Sequence, residues 1–343
     1  MMKNALEKFK SLKLVKAMGF NRVVLIGVII LMCLLFQLLS GVLNHGNVFL
    51  TYARFSSAMN YGYFIGFLAL GVTFVIATGG IDFSIGPVMF CAALISGYCL
   101  NNYGFPLWLC LVMCVAIGAV FGTVGGFFVA YFHLPSFITS MALMQIAKGI
   151  GSLFTHTQNV SWPNSSDPNG WYRSLSNMDI RLANGGKFTL PMGLILLIIV
   201  AIVCAIVLNK TRPGRYMICL GANREAVRLS GVDTRRWEML AYIISGALAG
   251  LAAIFFVGCY TTVQPGRGDT FNNEAIAACV MGGTSMAGGL ASILGTVIGA
   301  FIIAIMQEGI LSMGLNISYQ YALTGLIVLG AVIADTLSRR RKN

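Results

Sequence analysis

The chain has 343 residues, of which 57% are apolar and only 10% charged, and its mean hydropathy is +0.81. A soluble domain carries charge on roughly 25% of its residues, so 23 basic and 11 acidic side chains are too few to wet a globule of this length. That excludes a soluble enzyme, a nucleic-acid-binding module and a disordered chain, and the net charge of +12 asks only where the cations lie.

Crossing about 30 Å of hydrocarbon takes about 20 mostly apolar residues. The first such run is Val23 to Leu43, behind a tail (1–22) carrying Lys3, Lys8, Lys10, Lys13, Lys16 and Arg22. It exceeds the usual apolar length of a signal peptide and no small-x-small site follows, so it reads as a retained helix. Further runs lie near 56–78, 84–100, 107–131, 136–155, 190–208, 239–260, 274–287, 290–311 and 319–336. The whole is an all-α polytopic membrane protein with about ten transmembrane helices. The short, glycine-broken run 274–287 is expected to be partial or re-entrant.

Basic residues provide a separate count of the spans. Six lie in the amino tail, seven in the loop 209–238 and four in the tail 337–343, seventeen of the 23 in three segments. Lys and Arg favour the cytoplasmic side. With all three segments there, both termini are inside, six spans precede the middle loop and four follow it. On the other side, the long loop 156–189 and the loop 261–273 are polar, and Trp162 and Trp171 can sit at headgroup level.

Glycine is the next signal, with 40 copies. Lipid offers no hydrophobic force between helices, so they associate by close packing of small residues. Gly118, Gly122 and Gly126 share one face, and Gly246/Gly250 and Gly295/Gly299 repeat the spacing. These predict packing within the bundle in preference to a dimer contact. The stretches GGIDFSIG (Gly79 to Gly86) and GGTSMAGG (Gly282 to Gly289) instead interrupt spans, as broken helices beside a cavity do. Gly79, Gly80, Asp82, Ser84, Gly282, Gly283, Thr284 and Ser285 are therefore candidate pathway or gate residues. A carboxylate at mid-membrane costs about 2.5–3.5 kcal/mol, so Asp82 is expected to cap the third span near the cytoplasmic face. A gating role and proton coupling remain as alternatives.

Several chemistries find no foothold. No G-x-x-x-x-G-K-[ST] loop is present to cradle nucleotide phosphates. His45, His133 and His156 are isolated, no metal-ligand spacing or G-x-S-x-G occurs, and no C-x-x-C links the nine cysteines, eight of which lie in apolar runs. They read as small buried hydrophobes.

Within the middle loop, Asn223 to Leu229 has helix-forming character, with Pro213-Gly214 breaking the chain before it and Ser230-Gly231 ending it. Such a short amphipathic helix suits a groove on a cytoplasmic partner, although a solvated basic loop would satisfy the composition too. Here the residues resemble a known family. The pattern G-x-N-x-E-A-x-x-x-S-G-[IV] after KTRPGR is similar to the cytoplasmic loop of ribose/galactose-type sugar ABC importer permeases. TGGIDFSIG, LPSFITSMAL and IAACVMGGTSMAGGLASILGTVIGA agree in the family's order, from roughly residue 68 to 335. Phe83, where the family has Leu, and the stretch NGWYRSLSN depart from it.

The resemblance implies a permease of the inner membrane that imports a monosaccharide by alternating access. Its partners would be a second permease copy or close homologue, cytoplasmic ATPase subunits that hold ATP and Mg, and an external sugar-binding protein. The chain itself would bind no cofactor and catalyse nothing. By matching positions, Gly221, Asn223, Glu225, Ala226, Ser230 and Gly231 would dock the ATPase. Arg228 joins them because i, i+3 spacing puts it beside Glu225. A branched-chain amino acid permease and an ion-coupled carrier are the rival readings.

Overall fold

A computed structural model describes residues 20–43, 49–181, 187–316 and 318–340. The tail residues 1–19 and 341–343 and His45 lie outside the described residues, so the basic clusters there are known from sequence alone. The long helices follow the apolar runs: α1 Phe20–Leu43, α2 Tyr52–Ala77, α3 Ile85–Tyr103, α4 Leu107–Phe132, α5 Ser136–Phe154, α6 Met192–Lys210, α9 Thr234–Cys259, α11 Ile293–Ser312 and α12 Ser318–Arg340. Between them lie α7 Arg212–Ala222, α8 Arg224–Leu229 and α10 Asp269–Met281. Eight of the described helices, α1 to α6, α9 and α11, are long and apolar enough to cross a membrane. The fold is all-α and polytopic.

α10 lies over the expected weak segment and has only 13 residues. At 1.5 Å per residue it spans about 20 Å, short of the hydrocarbon thickness. Glycine ends it: Gly282 is its carboxyl cap, and Gly283 follows with φ 89°. α12 extends to Arg340, so the first residues of the expected basic tail continue the last helix.

Two helices form the centre. α2 is buried nearly all round, with Tyr63, Phe64, Phe67, Leu68 and Leu70 fully enclosed, and Phe67 stacks on Phe255 of α9 at 4.4 Å. α1, α4, α5 and α6 instead show large apolar side chains outward, among them Leu38, Val120, Ile138 and Val203. An apolar exterior of this kind is stable against hydrocarbon and not against water.

The glycine seam is internal. α4 crosses α9 so closely that a Cβ on Gly118 or Gly122 would overlap the carbonyls of Gly246 or Tyr242, and one on Gly250 the carbonyl of Cys114. Gly295 and Gly299 of α11 meet Gly282 and Ala278 of α10 in the same manner. Six cysteines are buried, all nine are free, and Cys219 alone of them is exposed.

At the end of the bundle carrying residues 156–191, the connections form a packed cover. β1 (Val160–Ser161) pairs antiparallel with β4 (Thr262–Val263), and β2 (Met178–Arg181) with β3 (Lys187–Leu190). A short 3-10 helix covers Gly170–Leu175. Trp162 does not sit at the surface as expected: it is buried, its Nε1 donates to Ala93 O at 3.2 Å, and Gly97 leaves room for its indole. Trp171 remains exposed. Tyr172 donates its hydroxyl to Val257 O at 3.1 Å, and burial pushes that phenol up to about 12. The opposite end carries α7 and α8.

Candidate functional site

The two glycine-rich interruptions and the α7–α8 region, far apart in sequence, come together. Gly221 at the end of α7 lies against Ala77 O, Gly288 and Gly289, and Gly288 packs on Gly79. Gly289 N donates to Ala77 O at 3.1 Å, closing the junction. Gly79 and Gly288 have φ of 86° and 80°, a left-handed geometry that costs a side chain roughly 1 kcal/mol or more. A Cβ on Gly221 or Gly288 would overlap the neighbouring backbones, whereas Gly79 has room and is held to glycine by its φ alone. Beside the junction, Gly79, Gly80, Ser136, Arg224 and Glu238 line a cavity of about 210 Å³.

Asp82 holds the chain from this junction to α3. Its Oδ1 accepts from Ser84 N at 2.9 Å and Ser84 Oγ at 2.6 Å, and its Oδ2 from Ser245 Oγ of α9 at 3.1 Å. The cap position itself belongs to Ser84, whose side chain makes no capping bond, so Asp82 acts from two residues earlier. It is 3% exposed and also ties α3 to α9. Next to it, Asn272 of α10 accepts from Gly86 N at 2.7 Å and donates to Phe83 O at 2.5 Å, so the amino ends of α3 and α10 meet. Ser84, Thr284 and Ser285 are all buried, and their bonds run within the protein: Thr284 Oγ1 accepts from Ser292 N at 3.2 Å, and Ser285 N donates to Leu290 O at 2.9 Å.

The expected loop at 209–238 is two helices. Pro213-Gly214 does not end structure there; it starts α7, with Thr211 as the cap. Asn223 then caps α8 by accepting from Ala226 N at 2.9 Å, and Gly231, at φ 80°, turns the chain out of it. A helix of six residues is marginal alone, and its anchor is the bidentate pair from Arg224 to Glu238 of α9, at 2.8 and 2.6 Å. Val227 is its one buried side chain. Glu225, Ala226, Arg228, Leu229 and Ser230 are exposed. Glu225 and Arg228 bond each other at 2.6 and 3.0 Å. That hydrogen-bonded pairing holds the Glu225 carboxyl below the ordinary glutamate value and raises Arg228.

Two cavities flank α10. One of about 370 Å³ lies toward the loop end, lined by Phe90, Phe256, Gln264, Arg267, Asp269 and Phe271 among others. The other, about 420 Å³, reaches from Thr270 and Tyr321 past Asn273, Glu274 and Thr324 to Phe83 and Met286. They share Thr270 and Tyr321. Both volumes fall in the range of small-molecule sites. Glu274 accepts from Tyr61 Oη at 2.5 Å and from Gln320 Nε2 at 3.1 Å. Among the described residues no cluster of three or more His, Cys, Asp or Glu suits a metal ion.

Comparison with known proteins fits this architecture. A family described as "Branched-chain amino acid transport system / permease component" matches residues 54–332. The chain belongs to this permease family. Among its relatives, the fructose import permease FrcC of Rhizobium meliloti is 32% identical over 80% of this chain and 76% of its own. The ribose import permease RbsC of Escherichia coli K12 is 32% identical over 78% of this chain and 81% of its own. The galactose/methyl galactoside import permease MglC of Haemophilus influenzae is 30% identical over 99% of both. No solved structure matches the chain.

In this permease the sequence pattern located the glycine junction and α8 but missed the cavity wall on α10 and α12. Glu274, after Asn273, opens the weakest apolar run, and Gln320 and Thr324 stand four apart in the last one. Polar residues at helical spacing inside an apolar span were the available signal. Arg224–Glu238 was missed as well, because Arg224 looked like one more solvated cation.

Proposed function

We propose that this permease is the membrane-spanning subunit of an ATP-binding-cassette importer for a monosaccharide. The observation that carries the reading is the kinship, over most of both chains, with import permeases named for ribose, fructose and galactose. The family description also mentions branched-chain amino acids. The two cavities supply hydroxyl, amide and phenol groups from Thr270, Gln264, Asn273 and Tyr321 beside Phe90, Phe256 and Phe271, which suit a polyol, and Arg267, Asp269 and Glu274 also stand in their walls.

On this reading the protein is a multi-pass inner-membrane protein with residues 1–22, 209–238 and 337–343 in the cytoplasm, as the distribution of Lys and Arg favours. Gly221, Asn223, Glu225, Ala226, Arg228, Ser230 and Gly231 form or border the surface for a cytoplasmic ATPase subunit, which holds ATP and Mg. α8 is suited to that contact: its amino end is fixed to α9, and its outer face is exposed. The loop end receives an external sugar-binding protein, and a second permease copy or close homologue completes the pathway. Gly79, Gly80, Asp82, Ser84, Gly282, Gly283, Thr284 and Ser285 form the gate. They do so as a hinge: movement of α7 reaches the end of α2 and the loop after α10 through contacts between glycine backbones.

The test is uptake into proteoliposomes holding the permease with its ATPase and receptor partners, offered ribose, fructose and galactose separately. Uptake of at least one sugar is expected only with ATP inside the ATPase compartment. Uptake driven by a proton or sodium gradient, without the ATPase, would instead establish an ion-coupled carrier.

A further inference from the structure

The cavity between α10 and α12 contains hydrogen-bonding groups that the protein leaves unused. Thr324 is 4% exposed and Gln320 is fully buried, yet Thr324 Oγ1 and Gln320 Oε1 have no partner among the described residues. They stand four residues apart on α12, on one helix face. Thr324 lines the cavity with Asn273, Glu274 and Tyr321. The amide of Asn273 is likewise without a hydrogen bond among the described residues, and it is exposed on the cavity side of α10. Nearly all buried polar groups in folded proteins are paired, so the orphaned hydroxyl of Thr324, a residue of the cavity wall, calls for a ligand.

The rest of the wall defines that ligand. Both carboxylate oxygens of Glu274 already accept bonds, from Tyr61 and Gln320, and no Lys or Arg among the described residues lines this cavity, so it offers no counter-charge to an anion. Phe83, Ile276, Met286 and Leu329 supply the apolar remainder. A neutral molecule with an apolar face and hydroxyls at its edge suits this wall: it exchanges bonds with Thr324 and the Asn273 amide. From this geometry we infer that the α10–α12 cavity is a contact site for the monosaccharide inside the permease, with Thr324 and Asn273 as its hydrogen-bonding residues. The inference rests on the sugar-import reading above and adds where within the chain the sugar is touched.

Thr324→Val tests it, because valine matches the shape of threonine and removes the hydroxyl. The assembled complex with ATPase and receptor is assayed with whichever of ribose, fructose and galactose the wild type carries. One lost hydrogen bond corresponds to a fall in uptake of roughly three- to tenfold. Receptor-stimulated ATP hydrolysis should persist, and the heat stability of the sugar-free permease should stay the same or rise, since an unpartnered buried hydroxyl is gone. Asn273→Ala should behave alike. Wild-type uptake in both variants overturns the assignment, and so does a loss of uptake that tracks a loss of heat stability. If the wild-type complex carries none of the three sugars with ATP, the import reading itself fails and this site falls with it, a result distinct from a wild type that transports and variants that do so equally well.

Discussion

The seam between α4 and α9 and the gap between α10 and α12 solve opposite problems with the same type of chain. At the seam, glycines at 118, 122, 246 and 250 let two backbones touch, leaving no room for a methyl group. Between α10 and α12, which meet at the Gln320–Glu274 bond, a cavity of about 420 Å³ remains, and buried oxygens lack partners among the described residues. Dense packing without polar groups gives a rigid frame, because close-packed interfaces tolerate little displacement. An open, partly unsatisfied interface gives a place for a solute. The first region should therefore respond to mutation with stability, the second with transport.

The largest stability effect is expected at the seam. Gly122→Leu forces a side chain against the Tyr242 carbonyl, and overpacking of this kind costs about 3 kcal/mol. A thermal denaturation curve in detergent should shift clearly downward; an unchanged curve would break the contrast. Arg224→Ala comes next, leaving the carboxylate of Glu238, 7% exposed, without its bidentate partner. Loss of such a bond costs roughly 1–3 kcal/mol, less here because Arg224 is partly solvated. The same melting assay should show a smaller shift, with weakened recovery of the ATPase on purification.

Glu225→Ala with Arg228→Ala should leave melting unchanged, since both side chains are exposed. The double variant should still insert, yet sugar uptake should uncouple from ATP turnover. Unaltered uptake would remove α8 from the docking surface. The smallest effect is with pH. Pairing with Arg228 lowers the Glu225 carboxyl, so its contribution is present above the ordinary glutamate value and lost as pH falls through its own lower value. ATPase binding should therefore not change between pH 7 and about 5. A decline within that range would point to another group.

Local patterns carried much of this structure. Hydropathy marked the helices, and four-residue glycine spacing found the α4–α9 seam because both are properties of a single helix. α10 stood out as defective for the same reason: too few apolar residues before a glycine pair. Pairings across the fold were not legible. Nothing near Asp82 announces Ser245, 163 positions later, and nothing in Gln320 announces Glu274. Trp162 read as an interfacial residue because its burial depends on Gly97 and Ala93 of another helix. The junction of Gly79, Gly221 and Gly288 was visible in pieces, with no sign in the sequence that the pieces touch.

Sidedness is the claim on which the power stroke from ATPase to cavity depends, and the chain carries its own reporter in Cys219, exposed on α7, while the remaining cysteines are buried or partly so. With the permease expressed alone, a membrane-impermeant maleimide added to intact cells should leave the wild type unlabelled and label an Asn169→Cys variant in the long loop. Permeabilised cells should then label Cys219 as well. Labelling of Cys219 in sealed cells, with the thiol introduced in the long loop protected until the membrane is opened, would invert the protein and contradict the account.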